Sequence, residues 1–270
     1  MPPAPHPTIP TGTHATPHVT TIYYHADCLD GFGAAYAAWR SFGDAARYRP
    51  MHHGDAWQTE DVAGRDVFVL DFSFPEDRLT EIARLARSVC QLDHHASARE
   101  PWQERLTTDP AAGLEVFEDA ALGLTVAFDL TRSGARLAWD LFHPGQALPL
   151  AIAHIEDQDM WRFAIPGTRA FCRALRLRPF AFDAWDDIVR GADHRDRERY
   201  RSLRAEGEAI ERFFAVEVER LAASALIMPV SLAADSGATP VRGSAINCSA
   251  LFASDLGSRL AERSGTFGLG

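Results

Sequence analysis

Residues 66–95 read DVFVLDFSFPEDRLTEIARLARSVCQLDHH, and this stretch decides the fold. Two short apolar runs, 67–70 and 89–92, flank a segment that opens with Pro75 and carries Leu79, Ile82, Ala83, Leu85 and Ala86 mostly on one helical face. Apolar strands on either side of an amphipathic helix spell a βαβ unit, in which the strands run parallel and are buried on both faces. Pro75 suits the first helical turn, where a missing N–H costs nothing.

Working outward, the same alternation continues. Strands are expected at 19–24, 47–51, 66–70 and 88–92, with helices at 31–42 and 75–87. Ser133 is placed to cap a helix running to Phe142, and 148–155 reads as a buried helix. Residues 180–221 are charge-rich with helical spacing and end in a long amphipathic stretch from 195 to 221. Beyond it, strands are expected at 225–232 and 241–248, then a helix at 249–263 and a strand starting at Thr266. The fold class is therefore α/β, a mostly parallel sheet flanked by helices, followed by a linker helix and a partial smaller α/β unit. The expected organisation is a disordered tail at 1–18, a catalytic domain at 19–180, a helical linker at 181–222 and an incomplete substrate domain at 223–270.

Composition narrows the chemistry. All 27 basic residues are arginine, so mechanisms that need a Walker A, Schiff-base or kinase lysine are excluded. Carboxylates, imidazoles, hydroxyls or metals must do the work. A net charge of -10 disfavours long duplex nucleic acid and anionic membranes as partners. Cys28, Cys90, Cys172 and Cys248 form no C-x-x-C pair and read as free thiols. With no apolar leader at the N-terminus, the expected location is the cytoplasm.

Three polar clusters fall directly after three of these strands: His25, Asp27 and Asp30; Asp71; and Asp93-His94-His95. In an open parallel sheet the ligand crevice lies at the carboxyl ends of the strands, so these groups are expected to converge. That many carboxylates call for cations. A mixed Asp/His set suits Mn²⁺ or a similar first-row ion, with Mg²⁺ or Co²⁺ as substitutes, and there are enough donors for two ions acting on a phosphoryl group. The pair His52-His53 alone reads as surface or filler, and Trp39, Trp139 and Trp185 as packing.

Residues Leu92-Asp93-His94-His95-Ala96, with His25-Ala26-Asp27-Cys28-Leu29-Asp30-Gly31, Asp71-Phe72-Ser73 and Glu156-Asp157-Gln158-Asp159-Met160-Trp161, resemble the DHH/DHHA1 phosphoesterase superfamily. The likeness is greatest to its short oligoribonuclease-like or cyclic-nucleotide-phosphodiesterase-like branch. It implies a Mn²⁺-dependent hydrolase of short oligonucleotides or small nucleotides, acting through a water activated by two metals; its nearest alternatives are a phosphoanhydride hydrolase and a catalytically impaired nucleotide-binding module. The resemblance implies that Asp71 bridges the two ions, that Asp30, His94 and Asp157 complete one, and that His25 and Asp27 hold the other. It further implies that Asp93 orients the first imidazole and that His95 faces the scissile phosphate. Cys28 stands where many superfamily members carry an aspartate. The family's closing Gly-rich segment with His is absent from these 270 residues, which reads either as a truncated substrate domain or as a product-side phosphate and base held differently; a homodimer is compatible with the pattern.

Overall fold

A computed structural model of the chain describes residues 19–193, 197–230, 241–264 and 268–269. The order of elements is β1 (Thr20–His25), α1 (Leu29–Phe42), β2 (Arg47–Met51), α2 (Thr59–Val62), β3 (Asp66–Leu70), α3 (Glu76–Leu85), β4 (Ser88–Asp93) and α4 (Ala96–Arg99). Three strands follow, β5 (Thr107–Asp109), β6 (Leu114–Asp119) and β7 (Leu124–Phe128). Next come the helices α5 (Gly134–Phe142), α6 (Leu150–Asp159), α7 (Thr168–Leu175), α8 (Phe182–Asp193) and α9 (Arg197–Ala223). The C-terminal part holds β8 (Leu226–Val230), β9 (Val241–Ala245), α10 (Ala253–Ser264) and β10 (Gly268–Leu269).

The main sheet has the order β2-β1-β3-β4-β7-β6-β5. Its first five strands are parallel, while β6 and β5 run antiparallel at one edge. The period of two along each strand explains the layers. On β3, Phe68 and Leu70 join a core shared with α1, α5, α6, α7 and α8, whereas Val67 and Val69 join a second core with Leu79, Ile82 and Ala83 of α3. Burying such aliphatic and aromatic side chains contributes roughly 1.5–3 kcal/mol each, which is why the strands read as continuous apolar runs. Trp139 and Trp185 are buried in the first core, as expected for packing residues.

The expected elements of the parallel part fall within a few residues of those observed, and Ser133 caps α5 by accepting a hydrogen bond from the Arg136 N–H (3.3 Å). The antiparallel edge β5–β7 is an addition that the sequence reading lacked. Helix α6 runs four residues past its expected end at 155, to Asp159, and the stretch 180–221 contains two helices, α8 and α9, rather than one linker. At the C-terminal end β8, β9 and β10 form a three-stranded sheet, and α10 packs Leu256 and Leu260 on Val218 and Ala222 of α9. The expected tail at 1–18 and the expected strand start at Thr266 lie outside the described residues. Among the described residues, no helix is long and apolar enough to cross a membrane, and the four cysteines are free thiols.

Candidate metal centre

The order 2-1-3-4 reverses the winding between β1 and β3, so the crevice expected of a doubly wound sheet opens there. His25 is the last residue of β1, Asp71 the first after β3, and Asp93 the last of β4, with His94 and His95 directly following. Asp30 arrives from the first turn of α1, where its carboxylate accepts the Gly134 N–H (2.6 Å) and the Ala135 N–H (3.0 Å) of α5. The positive end of α5 thus holds one of the buried acids in place.

Asp71 leaves β3 in the left-handed region, at φ 52°. For a non-glycine residue that conformation costs about 1–3 kcal/mol and persists only when its surroundings impose it. Here the Asp71 N–H donates to the Leu92 carbonyl (3.1 Å), and the Phe74 N–H donates to Gln91 Oε1 (3.0 Å), fixing the turn. The turn lowers the Asp71 carboxylate between two imidazoles, with Oδ2 3.7 Å from His25 Nδ1 and Oδ1 3.1 Å from His94 Nε2. Gly134 lies against it: a Cβ at that position would stand 2.6 Å from Asp71 Oδ1 and 2.7 Å from Cγ. Only glycine lets α5 approach this closely.

His94 Nε2 is the focus of the arrangement. Asp71 Oδ1, Asp159 Oδ2 and Asp30 Oδ2 lie 3.1, 3.5 and 3.6 Å from it, from three separate elements. Among the described residues, three sets of donor atoms lie within 4.8 Å of one another and could hold an ion: Asp30, His94 and Asp159; His25, Cys28 and Asp71; and Asp71, Asp93, His94 and His95. Asp71 is shared by two of these sets and His94 by two.

The electrostatics suit a cation. Burial, followed by the charges of Asp71 and Asp159, holds the Asp30 carboxyl well above the usual range, and burial also raises that of Asp159. Burial alone would raise Asp71 as well, but hydrogen bonds from His25 and His94 keep it below its ordinary value. Burial and the charges of Asp71 and Asp30 push the Cys28 thiol up to about 12. Buried carboxylates that repel one another are stabilised when a cation binds between them. The donor set of aspartates and imidazoles suits a first-row divalent ion.

Asp93 has a different task. Its Oδ2 accepts the Ser73 hydroxyl (2.6 Å), while Oδ1 accepts the His94 N–H (2.7 Å) and lies 2.7 Å from His95 Nδ1. The residue therefore orients the second imidazole of the pair, not the first as the resemblance implied; His94 is touched only through its backbone. The hydrogen bond to Asp93 raises the His95 pKa to about 9 despite burial. A cavity of about 330 Å³ opens beside His25, Asp71 and His95, with Phe72, Phe74 and Trp102 among the residues on its wall.

Of the residues singled out from the sequence, His25, Asp30, Asp71, Asp93, His94 and His95 are brought together. Asp157 and Asp27 are not. The Asp157 carboxylate accepts the N–H groups of Ala164 (2.8 Å) and Ile165 (3.0 Å) and the Thr168 hydroxyl (2.5 Å), so it faces away from the centre. Asp159, two residues on, reaches His94 instead. Asp27 sits exposed in a left-handed turn at φ 53°, with His52 Nε2 at 3.6 Å as its partner; Cys28 takes its place beside His25 and Asp71. His52 and His53 are exposed, as the surface reading of the pair expects, and the His53 ring lies 5.8 Å from that of His25 and stacks on Phe72 at 5.3 Å.

Fold and site together define an α/β protein with a buried carboxylate–imidazole centre at the carboxyl ends of a parallel sheet. The chain is similar to the uncharacterized protein R106 of Acanthamoeba polyphaga mimivirus, with 29% identity over 185 residues, covering 63% of this chain and 40% of the viral protein. It thus corresponds to well under half the length of that relative. No family model matches the chain, and no solved structure matches it.

Proposed function

We propose that the chain is a metal-dependent phosphoesterase of the DHH/DHHA1 type, hydrolysing phosphodiester bonds of short oligonucleotides or small nucleotides. The observation that carries this reading is the ring of three carboxylates, Asp30, Asp71 and Asp159, around His94 Nε2. In this reading Asp30, His94 and Asp159 would hold one cation, His25 and Cys28 would hold the other, and Asp71 would be available to both. Two divalent cations in such a site supply a water of lowered pKa and neutralise charge on a phosphoryl group.

The chain's own residues do the rest. Asp71 is kept ionised by His25 and His94 and so is ready to act as a shared ligand. His95, hydrogen-bonded through Nδ1 to Asp93, borders the adjoining cavity, where its ring is placed to donate a hydrogen bond to a phosphoryl oxygen. Phe72, Phe74 and Trp102 give that cavity an apolar wall that limits bulk water. The net charge of -10 favours short substrates over long polymers.

The test is incubation of the full chain with Mn²⁺ and dinucleotides, cyclic nucleotides or bis(p-nitrophenyl) phosphate. Metal-dependent product is expected from at least one, and its loss on chelation and in Asp71→Asn. Release of phosphate from pyrophosphate or polyphosphate alone would move the activity to phosphoanhydrides. No product from any substrate would sink the proposal.

A further inference from the structure

The carboxylate of Asp157, though turned from the metal centre, is heavily used. Besides Ala164, Ile165 and Thr168, the Asp157 carbonyl accepts the N–H groups of Arg162 (2.9 Å) and Phe163 (3.3 Å). These bonds hold a turn in which two aromatic residues, Trp161 (φ 55°) and Phe163 (φ 48°), adopt left-handed backbone. Such strain is kept where the surrounding structure over-determines it, and it places a side chain where relaxed backbone would not. Trp161 begins two residues after Asp159, a span of at most about 7 Å along the chain. The turn sets the indole beside Phe163 and Arg169.

The indole is not used up in packing. Its ring meets Phe163 edge-on at 5.0 Å, and the Arg169 guanidinium lies 3.7 Å over Phe163 and 5.1 Å from the Trp161 centroid, yet Trp161 remains 41% exposed. It borders a cleft of about 170 Å³ between the turn, α7 and α10. Arg169 and Arg173 on one wall both pair with Asp255 of α10 on the other, at 2.6 Å for Arg169, and Arg173 also donates to Glu211 of α9 at 3.0 Å. Arg176, the third guanidinium lining the cleft, is exposed and has no ion pair or hydrogen bond among the described residues. Three guanidiniums against the carboxylates of Asp255 and Glu211 leave one positive charge, that of Arg176, without a carboxylate partner among the described residues. A joint that only fastened α10 to α7 would need the Asp255 pairs, but neither an exposed indole nor an unpaired guanidinium.

We propose that this cleft is a nucleotide subsite, in which Trp161 stacks a nucleobase and Arg176 holds a phosphate. The inference rests on the phosphoesterase reading only for its biological meaning; the binding stands on the cleft itself. A planar base has a π-face for an indole to stack on regardless of sequence, and a guanidinium matches phosphate oxygens in a bidentate geometry. The volume is below that of sites enclosing a whole drug-sized ligand, so it suits a base or a phosphate group at one end of a substrate whose other end reaches the centre.

The test uses the full chain kept free of metal with EDTA, so that hydrolysis plays no part, and reads binding of AMP, adenosine and inorganic phosphate by calorimetry. AMP is expected to bind. Trp161→Leu should weaken AMP and adenosine about tenfold or more, with inorganic phosphate unaffected, and Trp161→Phe should restore most of the loss. Arg176→Gln should weaken AMP and inorganic phosphate but spare adenosine. Because Arg176 is exposed and unpaired, this variant tests the site even if Trp161→Leu unfolds. Absence of AMP binding by the unaltered chain, or AMP affinity in Trp161→Leu and Arg176→Gln unchanged from that of the unaltered chain, overturns the proposal. Manganese content and manganese-dependent turnover of the unaltered chain, measured separately, show whether the phosphoesterase reading stands or falls independently.

Discussion

Replacing Gly134 with alanine forces a methyl group into the side chain of Asp71. The added Cβ would lie 2.6 Å from Oδ1 and 2.7 Å from Cγ, where carbon contacts need roughly 3.5 Å. Either Asp71 or the first turn of α5 must therefore move by about 1 Å. Moving α5 strains the bonds from the Gly134 and Ala135 N–H groups to Asp30; moving Asp71 spoils its approach to His94. Overpacking of this kind costs about 1–3 kcal/mol. For a domain of this size that lowers Tm by about 2–4 °C per kcal/mol, and a 1 Å displacement of a working group costs about 10²-fold in turnover. Scanning fluorimetry gives the first quantity and calorimetric titration of Mn²⁺ the affinity lost with it. Gly191→Ala in α8 is the control, since its new Cβ would meet Arg199 Cδ at an ordinary 3.5 Å; helix propensity alone predicts a gain of up to about 1 kcal/mol there. Unchanged Tm and unchanged Mn²⁺ affinity in Gly134→Ala would refute the close-approach argument.

The two acids at the end of α6 should separate cleanly. Asp159→Asn is expected to lose Mn²⁺ affinity while the metal-free fold keeps or gains stability, because a repelled carboxylate is removed; metal titration and thermal melting read the two effects. Asp157→Asn should do the reverse, keeping metal stoichiometry but losing about 1–3 kcal/mol as buried donors of the turn lose their acceptor. His154 is fully buried between the Thr168 hydroxyl (2.8 Å) and the Tyr200 hydroxyl (2.7 Å), and burial lowers its pKa to about 4. Since the fold holds the neutral ring, its stabilisation is complete above pH 6.5 and is lost as pH falls toward 4, about 3 kcal/mol in all. Denaturant melts across that window should show the loss, and His154→Gln should flatten it.

The parallel half of the fold was legible because strands buried on both faces leave unbroken apolar runs, such as residues 67–70. The edge hairpins were not, because β5 and β6 are half exposed and carry Thr, Glu and Asp. A signal was nevertheless present: Asp109 and Asp119 each stand four residues before a glycine, Gly113 and Gly123. Both glycines adopt positive φ, and both aspartates accept N–H groups two and three residues on, as turn residues do. At the site, strand ends could be read because chain topology alone brings them together. Asp157 and Asp159 could not be told apart in the same way. Residues two apart on a helix point to opposite sides, so only one can face the centre, and the rotation of α6 is set by the packing of its buried residues, such as Ile152 and His154, that lie before the motif. Cys28 and His53 depended similarly on loop paths after β1 and β2.

Asp30 belongs at once to α1, by its backbone, and to α5, by the two amides it accepts, while its Oδ2 also faces His94. It is a rivet as much as a ligand. A cation bound beside it would tighten the seam between two core helices, adding its binding free energy to folding by mass action. Chelation would then be felt as protease sensitivity along α1 and α5, well inside the domain, and resistance to digestion would report how full the centre is.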